Sequence, residues 1–306
     1  MACTSPSTAA MPHLKRVTPA ELEMAGSVPE IVAQLKAGTQ AVKTEMARLI
    51  AALSTQSPDS APGLVKAGAI PPLVGLVKSG NELGQLYASN ALASVSTNYR
   101  DHQAQVVQAG GIKPLISLLK MGSAGTQEQA AGAIASITDD RANQQPVIDA
   151  GGLQPLVNLL KGGKGNTQVH AAHAVANLVA GNSETQNMVA AAGGLPLILT
   201  LLQSGKEQVQ VQAAKATARL CEENRPIQES VAELGGIAPL LMLLNGRNVD
   251  AQINAAAAIA ELARDNAETQ AGLAKAGGIG PLLAMLPSRN RQAQAQAASA
   301  LAQLAR

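Results

Sequence analysis

The side chains that could do chemistry are few, and their spacing limits what they could do. His170 and His173 stand three residues apart, which on a helix puts both imidazoles on one face, with Asn177 one turn further along. Such a pair can share a metal ion, but the stretch around it supplies no Asp, Glu or Cys to complete a coordination shell. A polar contact surface is therefore the better reading, and no metal is expected. Cys221 has no histidine near it in sequence to activate a thiolate, so it reads as a small structural filler and not a nucleophile. Cys3 follows Met1 and Ala2, which is not a myristoylation start. The glycine-rich run at 161–166 has the composition of a phosphate-binding loop, yet it follows a helical pattern and lacks the Gly-Lys-Ser/Thr ending. No catalytic constellation emerges, the chain is read as a non-enzyme, and no cofactor is expected.

Composition narrows the field further. Aromatic residues make up 1% of the 306 positions, Tyr87 and Tyr99 alone, and charged residues 14%. A core without Phe or Trp must be built from Leu, Ile, Val, Met and Ala, which favours helices packed closely through small side chains. The same shortage excludes recognition by stacked bases or by aromatic cages for quaternary ammonium groups. With 23 basic and 21 acidic residues the net charge is +2, so there is no global field to hold nucleic acid or acidic lipid. The longest apolar stretch, 188–202, is interrupted by Gly-Gly and Pro and is too short to span a bilayer, so no membrane insertion is expected. Residues 1–17 lack the apolar segment of a secretory signal; they are read as a disordered leader, with an organellar transit peptide left open. Thr18-Pro19-Ala20-Glu21 then has the pattern of a helix start, which predicts a short covering helix over 19–25.

The elements that position these side chains come from a repeat. Ala-Gly-Gly-Ile-Lys-Pro-Leu at 109–115 recurs at 150–156, 234–240 and 276–282, with looser copies at 67–73 and 193–196. The first glycines are Gly68, Gly110, Gly151, Gly193, Gly235 and Gly277, in steps of 42, 41, 42, 42 and 42, and one further step back lands on Gly26. Seven copies follow near 26–67, 68–109, 110–150, 151–192, 193–234, 235–276 and 277–306, read as a single domain over 18–306. Each copy reads as a short helix ending at the glycines, a second helix with proline in its first turn, and a longer third helix such as 210–220 or 252–262.

This pattern resembles the armadillo repeat, through Gly-Gly-Ile-x-Pro-Leu in the second helix and Gln-x-x-Ala-Ala-x-Ala-Leu-Ala-x-Leu in the third. HEAT arrays are the nearest alternative. Within the family the pattern is most similar to vacuolar-inheritance-type scaffolds and plant armadillo arrays. The resemblance implies an all-α, right-handed superhelical α-solenoid of about seven three-helix repeats. It also implies a concave groove, lined by third helices, that takes an extended partner segment.

Third-helix positions then sort by face, counted from Lys215 and its equivalents Arg48, Asn90, Gly132, His173, Ala257 and Ser299. Two and five places on, the residues are apolar except Thr217, whose hydroxyl can bond the carbonyl four residues back. Three places before stand Glu45, Tyr87, Gln129, His170, Gln212, Asn254 and Gln296; four places after stand Ala52, Ser94, Ser136, Asn177, Arg219, Glu261 and Gln303. Amides repeated at this period suit capture of a peptide backbone, because each donates and accepts. The candidate partner-binding residues are therefore Arg48, Tyr87, Asn90, Gln129, His170, His173, Asn177, Gln212, Lys215, Arg219, Asn254, Glu261, Gln296 and Gln303.

A non-catalytic scaffold or adaptor for a protein or peptide partner is expected, monomeric and cytoplasmic or nuclear. The alternatives are a nuclear-transport adaptor and, behind it, a nucleic-acid-binding helical repeat. The importin-alpha ladder of Trp and Asn is missing, with only Asn177 keeping the Asn, and no basic stripe is evident in sequence for nucleic acid.

Overall fold

The computed structural model describes Thr18 and residues 26–305. The leader at 1–17, the helix expected over 19–25 and Arg306 lie outside the described residues. Among the described residues there are twenty α-helices and no strand. They belong to two compact units, one ending at Gly152 and one beginning at Leu153.

The N-terminal unit holds α1 (Val28–Ala37), α2 (Gln40–Gln56), α3 (Ala61–Lys66), α4 (Ile70–Ser79), α5 (Glu82–Ser96), α6 (Arg100–Gln108), α7 (Ile112–Met121), α8 (Ala124–Ile137) and α9 (Gln144–Asp149). The C-terminal unit holds α10 (Leu153–Gly162), α11 (Asn166–Leu178), α12 (Ser183–Ala191), α13 (Gly194–Leu201), α14 (Glu207–Cys221), α15 (Arg225–Glu233), α16 (Ile237–Leu244), α17 (Val249–Ala263), α18 (Ala267–Lys275), α19 (Ile279–Met285) and α20 (Arg291–Leu304). Each unit opens on a second helix and then repeats third, first and second in turn. The glycine-rich linker expected at 161–166 is shorter than that: Lys161 and Gly162 finish α10 and Asn166 opens α11.

The corner between first and second helices explains why two glycines stand there. First and second helices turn by 84° where α15 meets α16. Gly235 sits at φ 76, donates to the Ala232 carbonyl at 3.0 Å and is followed by Gly236, which donates to the Val231 carbonyl at 2.8 Å. This double bond pattern closes a helix through a left-handed residue, where a Cβ costs about 1–2 kcal/mol. Gly236 answers a different need. A Cβ there would lie 2.7 Å from Val231 Cγ1 and 3.0 Å from Leu199 Cδ2 of the preceding second helix. All seven first glycines, from Gly26 to Gly277, have positive φ.

The single 41-residue step also has a local cause. After the third helix the chain passes through a left-handed residue at Asn98, Gly181, Glu223 and Asp265, all at one register of the repeat. The shortened copy has one residue fewer there and a 3-10 turn at Arg141–Asn143, capped by Asp140 Oδ1 accepting from the Ala142 amide at 3.1 Å. The 42-residue step that ends at Gly68 also uses a 3-10 turn, at Pro58–Ser60, after a longer third helix.

Third helices pack side by side: α5 against α2 and α8, and in the other unit α14 against α11 and α17, with α17 against α20. Alanines at the contacts let the axes approach, and one larger residue per repeat fills the layer behind them. Ile50, Leu92 and Ile134 in the first unit, with Val175, Thr217 and Ile259 in the second, are fully buried. Thr217 donates its hydroxyl to the Ala213 carbonyl at 2.9 Å, so the lone polar member of that set is satisfied within its own helix. Cys221 is likewise fully buried, at the register of Ser54, Ser96, Thr138, Val179 and Ala263.

Candidate third-helix face

Every candidate partner-binding residue lies on a third helix. Arg48 is on α2, Tyr87 and Asn90 on α5, and Gln129 on α8. In the other unit His170, His173 and Asn177 are on α11, and Gln212, Lys215 and Arg219 on α14. Asn254 and Glu261 follow on α17, and Gln296 and Gln303 on α20. The face they form is less open than a solvated helix surface. Asn90, Gln129, Asn177 and Gln303 are buried, and most of the others are half-buried.

The burial comes with lateral pairing. Asn90 Nδ2 donates to Gln129 Oε1 at 2.8 Å, joining α5 to α8. Lys215 Nζ donates to Asn177 Oδ1 at 3.3 Å, joining α14 to α11. Arg48 is held by Glu45 at 2.7 Å, and Glu261 by Arg264 at 2.8 Å, each within one helix or its end. The Glu261 carboxylate raises the Arg264 guanidinium above its ordinary value, mainly through that hydrogen bond. Gln212 Oε1 is enclosed and has no donor. Burial, with His173 close by, pushes the His170 imidazole down to about 4, so at neutral pH this ring acts as an uncharged donor and acceptor. Among the described residues no three His, Cys, Asp or Glu side chains converge on one point. Burial, with Glu261 adding to it, pushes the Cys221 thiol well above its usual range and leaves it unreactive.

The last helix, α20, carries Arg291, Gln292, Gln294, Gln296, Ser299 and Gln303. Arg291, Gln292, Gln294 and Ser299 are exposed, Gln296 is half-buried, and Gln303 is turned inward. Leu283 on the preceding helix is 51% exposed, although its equivalents Leu199 and Leu241 are buried.

A set of amides, buried at Gln103, Gln186 and Gln228 and half-buried at Gln270, escaped the reading of the sequence. Gln103, Gln186, Gln228 and Gln270 each stand seven residues before a first glycine, and each donates to a carbonyl at the end of the preceding third helix. Gln186 is the most heavily engaged, donating to Val179, Arg219 and Glu222 carbonyls while Asn224 Nδ2 donates to its Oε1. The signal was present in the sequence, as a Gln repeating with the period of the glycines. Its role is to seal helix ends, which composition alone does not announce.

These three-helix repeats define an α-solenoid. The family model for the Armadillo/beta-catenin-like repeat matches residues 100–139, 140–180, 182–222 and 224–264, and the chain belongs to that family. The family unit begins at the first helix and not at the glycines, which is the same repeat counted from another point. An engineered protein of known crystal structure superposes with a TM-score of 0.79 at 29% identity, covering 94% of this chain and 70% of its own. A designed armadillo repeat protein gives 0.70 at 30% identity, over 77% of this chain and 99% of its own. Another designed armadillo repeat protein, solved in complex with the peptide (KR)4, gives 0.68 at 28% identity, over 77% and 99%. No curated protein sequence matches the chain. Among the described residues no single helix is long and apolar enough to cross a membrane.

Proposed function

We propose that this chain is a non-catalytic scaffold or adaptor that holds an extended segment of a protein partner on the third-helix face of its repeats. The observation that carries the reading is the set of mostly polar side chains at three fixed registers of the third helices, Ala52, Gly132 and Ala257 excepted, over a layer of Ala, Ile, Leu and Val. Neighbouring helices in such a layer lie about 9–10 Å apart, which is about three residues of extended chain, so one repeat serves one short stretch of partner. The designed protein that binds (KR)4 lends support to peptide capture by such an array. A basic peptide does not suit the C-terminal unit, where α14 presents Lys215 and Arg219 together. We assign the residue lying over α14 to an acidic or neutral type.

The test is a paired capture from source-cell lysate, read by mass spectrometry. One bait is the natural chain; the other carries Lys215→Glu, Arg219→Glu and His173→Ala, with helicity matched by circular dichroism. A partner held by the first and lost by the second supports the reading. Identical partner sets on both baits would remove these residues from the binding surface.

A further inference from the structure

A second surface lies away from the third-helix face, on the linkers between second and third helices of the C-terminal unit. Each third helix there is entered past a cation. Lys164 precedes the N-cap of α11, Lys206 is the N-cap of α14, Arg247 precedes the N-cap of α17, and Arg289 precedes that of α20. Arg291 adds a fifth at the first turn of α20. All five are exposed. The N-terminal unit has no such feature, since Gly38, Gly80 and Gly122 stand before its third-helix caps.

Two comparisons show that the fold does not account for these charges. At the C-terminal ends of α14 and α17 the cations have carboxylate partners, Arg219 3.5 Å from Glu222 and Arg264 2.8 Å from Glu261, and on the first helix α15 Arg225 lies 2.8 Å from Glu229. Among the described residues none of the five linker cations has a carboxylate at ion-pair distance. They also sit where the helix dipole is positive, so local electrostatics disfavours them there. Two carboxylates are interspersed. Glu207 is engaged by Asn248 Nδ2 at 2.9 Å, and Asp250 lies in the first turn of α17. Between α17 and α20 the linkers border an open cleft of about 540 Å³, lined by Arg247, Arg289, Asn248, Ser288 and Asn290 and also by the two carboxylates Glu207 and Asp250. Its cationic character therefore rests on the exposed guanidiniums at its rim together with Lys206 and Arg291 beside it. Lys206 reaches back to the preceding linker, its Nζ 2.6 Å from where a Cβ on Gly165 would sit.

We infer that this linker edge is a binding surface for an extended acidic segment of a protein, with carboxylates at about every third residue. The spacing decides between anions. Successive third helices lie about 9–10 Å apart, matching three residues of extended chain. A nucleic-acid strand carries a charge about every 3.4 Å, far denser than one cation per linker. The C-terminal unit also has no aromatic side chain on which bases could stack, because Tyr87 and Tyr99 both belong to the other unit. The two arginines at the cleft add forked, bidentate donors for the carboxylates.

The surface is independent of the third-helix face, and one experiment separates them. A fluorescein-labelled peptide with glutamate at every third position, spaced by Ser and Gly, is titrated with the intact chain in about 50 and about 200 mM salt, and anisotropy is read. Binding that weakens at the higher salt is expected, with a loss of about tenfold or more in Lys206→Glu/Arg247→Glu/Arg289→Glu. Lys206→Gln/Arg247→Gln/Arg289→Gln, which introduces no new charge, should lose a smaller part of the affinity in the same direction. An isomeric peptide with its glutamates clustered should bind more weakly. The inference is overturned if the peptide does not bind or if both triple variants bind like the natural chain. It is also overturned if only Lys215→Glu/Arg219→Glu abolishes binding, which would favour the third-helix face. Tighter binding of labelled poly-U or of phosphatidylserine vesicles would overturn it too, giving the edge to a phosphate polymer or a lipid surface.

Discussion

Asn90 donates to Gln129 at 2.8 Å across two adjacent third helices, and both side chains are buried. Amides that repeat along a helical array can therefore serve the array itself as well as a partner. Replacing Asn90 with Leu removes the donor and leaves an enclosed carbonyl oxygen, at a cost of about 1–3 kcal/mol. The double replacement Asn90→Leu/Gln129→Leu should recover much of that loss. Urea unfolding of the two single variants and the double variant measures the coupling, and strictly additive losses would deny it.

The two glycines of a corner should fail for different reasons. Gly235→Ala meets open space and costs about 1–2 kcal/mol through its left-handed backbone alone. Gly235→Asn should cost less, since Asn tolerates that conformation. At Gly236 the order reverses, because any side chain meets Val231 and Leu199, and Asn should be worse than Ala. Thermal melts of the four variants decide the point.

The glutamines that seal the third-helix ends rank by their partners and burial, Gln186 being buried and Gln270 half-buried. Gln186 Nε2 shares its two protons among three carbonyls and its Oε1 accepts one bond, whereas Gln270 makes a single donation to the Ala263 carbonyl at 2.8 Å. Gln186→Leu should therefore destabilise by about 2–4 kcal/mol, well beyond Gln270→Leu, at about 1 kcal/mol. Amide hydrogen exchange should show the first opening the ends of both α11 and α14.

Much of this was legible in the sequence, because a repeat shows the same physics seven times. The glycine period, the prolines of the second helices and the Ala-rich third helices located the elements to within a turn. The apolar registers were also sorted correctly through the inner repeats, down to Thr217 and its bond to Ala213, whereas Leu53, Leu301 and Leu304 in the first and last repeats are only half-buried. Three things were not legible. The burial of Asn90, Gln129, Asn177 and Gln303 depends on a neighbouring helix that periodicity within one helix does not supply. The inward turn of Gln303 and the exposure of Leu283 depend on what stacks beyond them. The row of linker cations was hidden in a balanced net charge, since 21 acidic residues spread over the whole chain offset the 23 basic ones.

Acid should weaken the fold through His170. The unfolded imidazole takes its proton near pH 6.5, while the folded one refuses it until about 4. Between those values the unfolded state binds more protons, so stability rises with pH: the contribution is complete above pH 6.5 and is lost as pH falls toward 4. It would be worth about 3 kcal/mol for a dry ring and less for one that keeps some solvent contact. The urea midpoint should fall between pH 7 and about 4.5 by more in the natural chain than in His170→Gln. Parallel falls would locate the effect elsewhere.

The central claim, that a partner lies along the third helices, is tested most directly by photo-crosslinking. Benzoylphenylalanine is placed at Gln212, at Asn254 or, on the outer surface of α15, at Glu233, and each bait is irradiated in source-cell lysate. Adducts to a common partner from positions 212 and 254, with none from 233, are expected. Adducts from 233 alone, or equally from all three, would contradict the account.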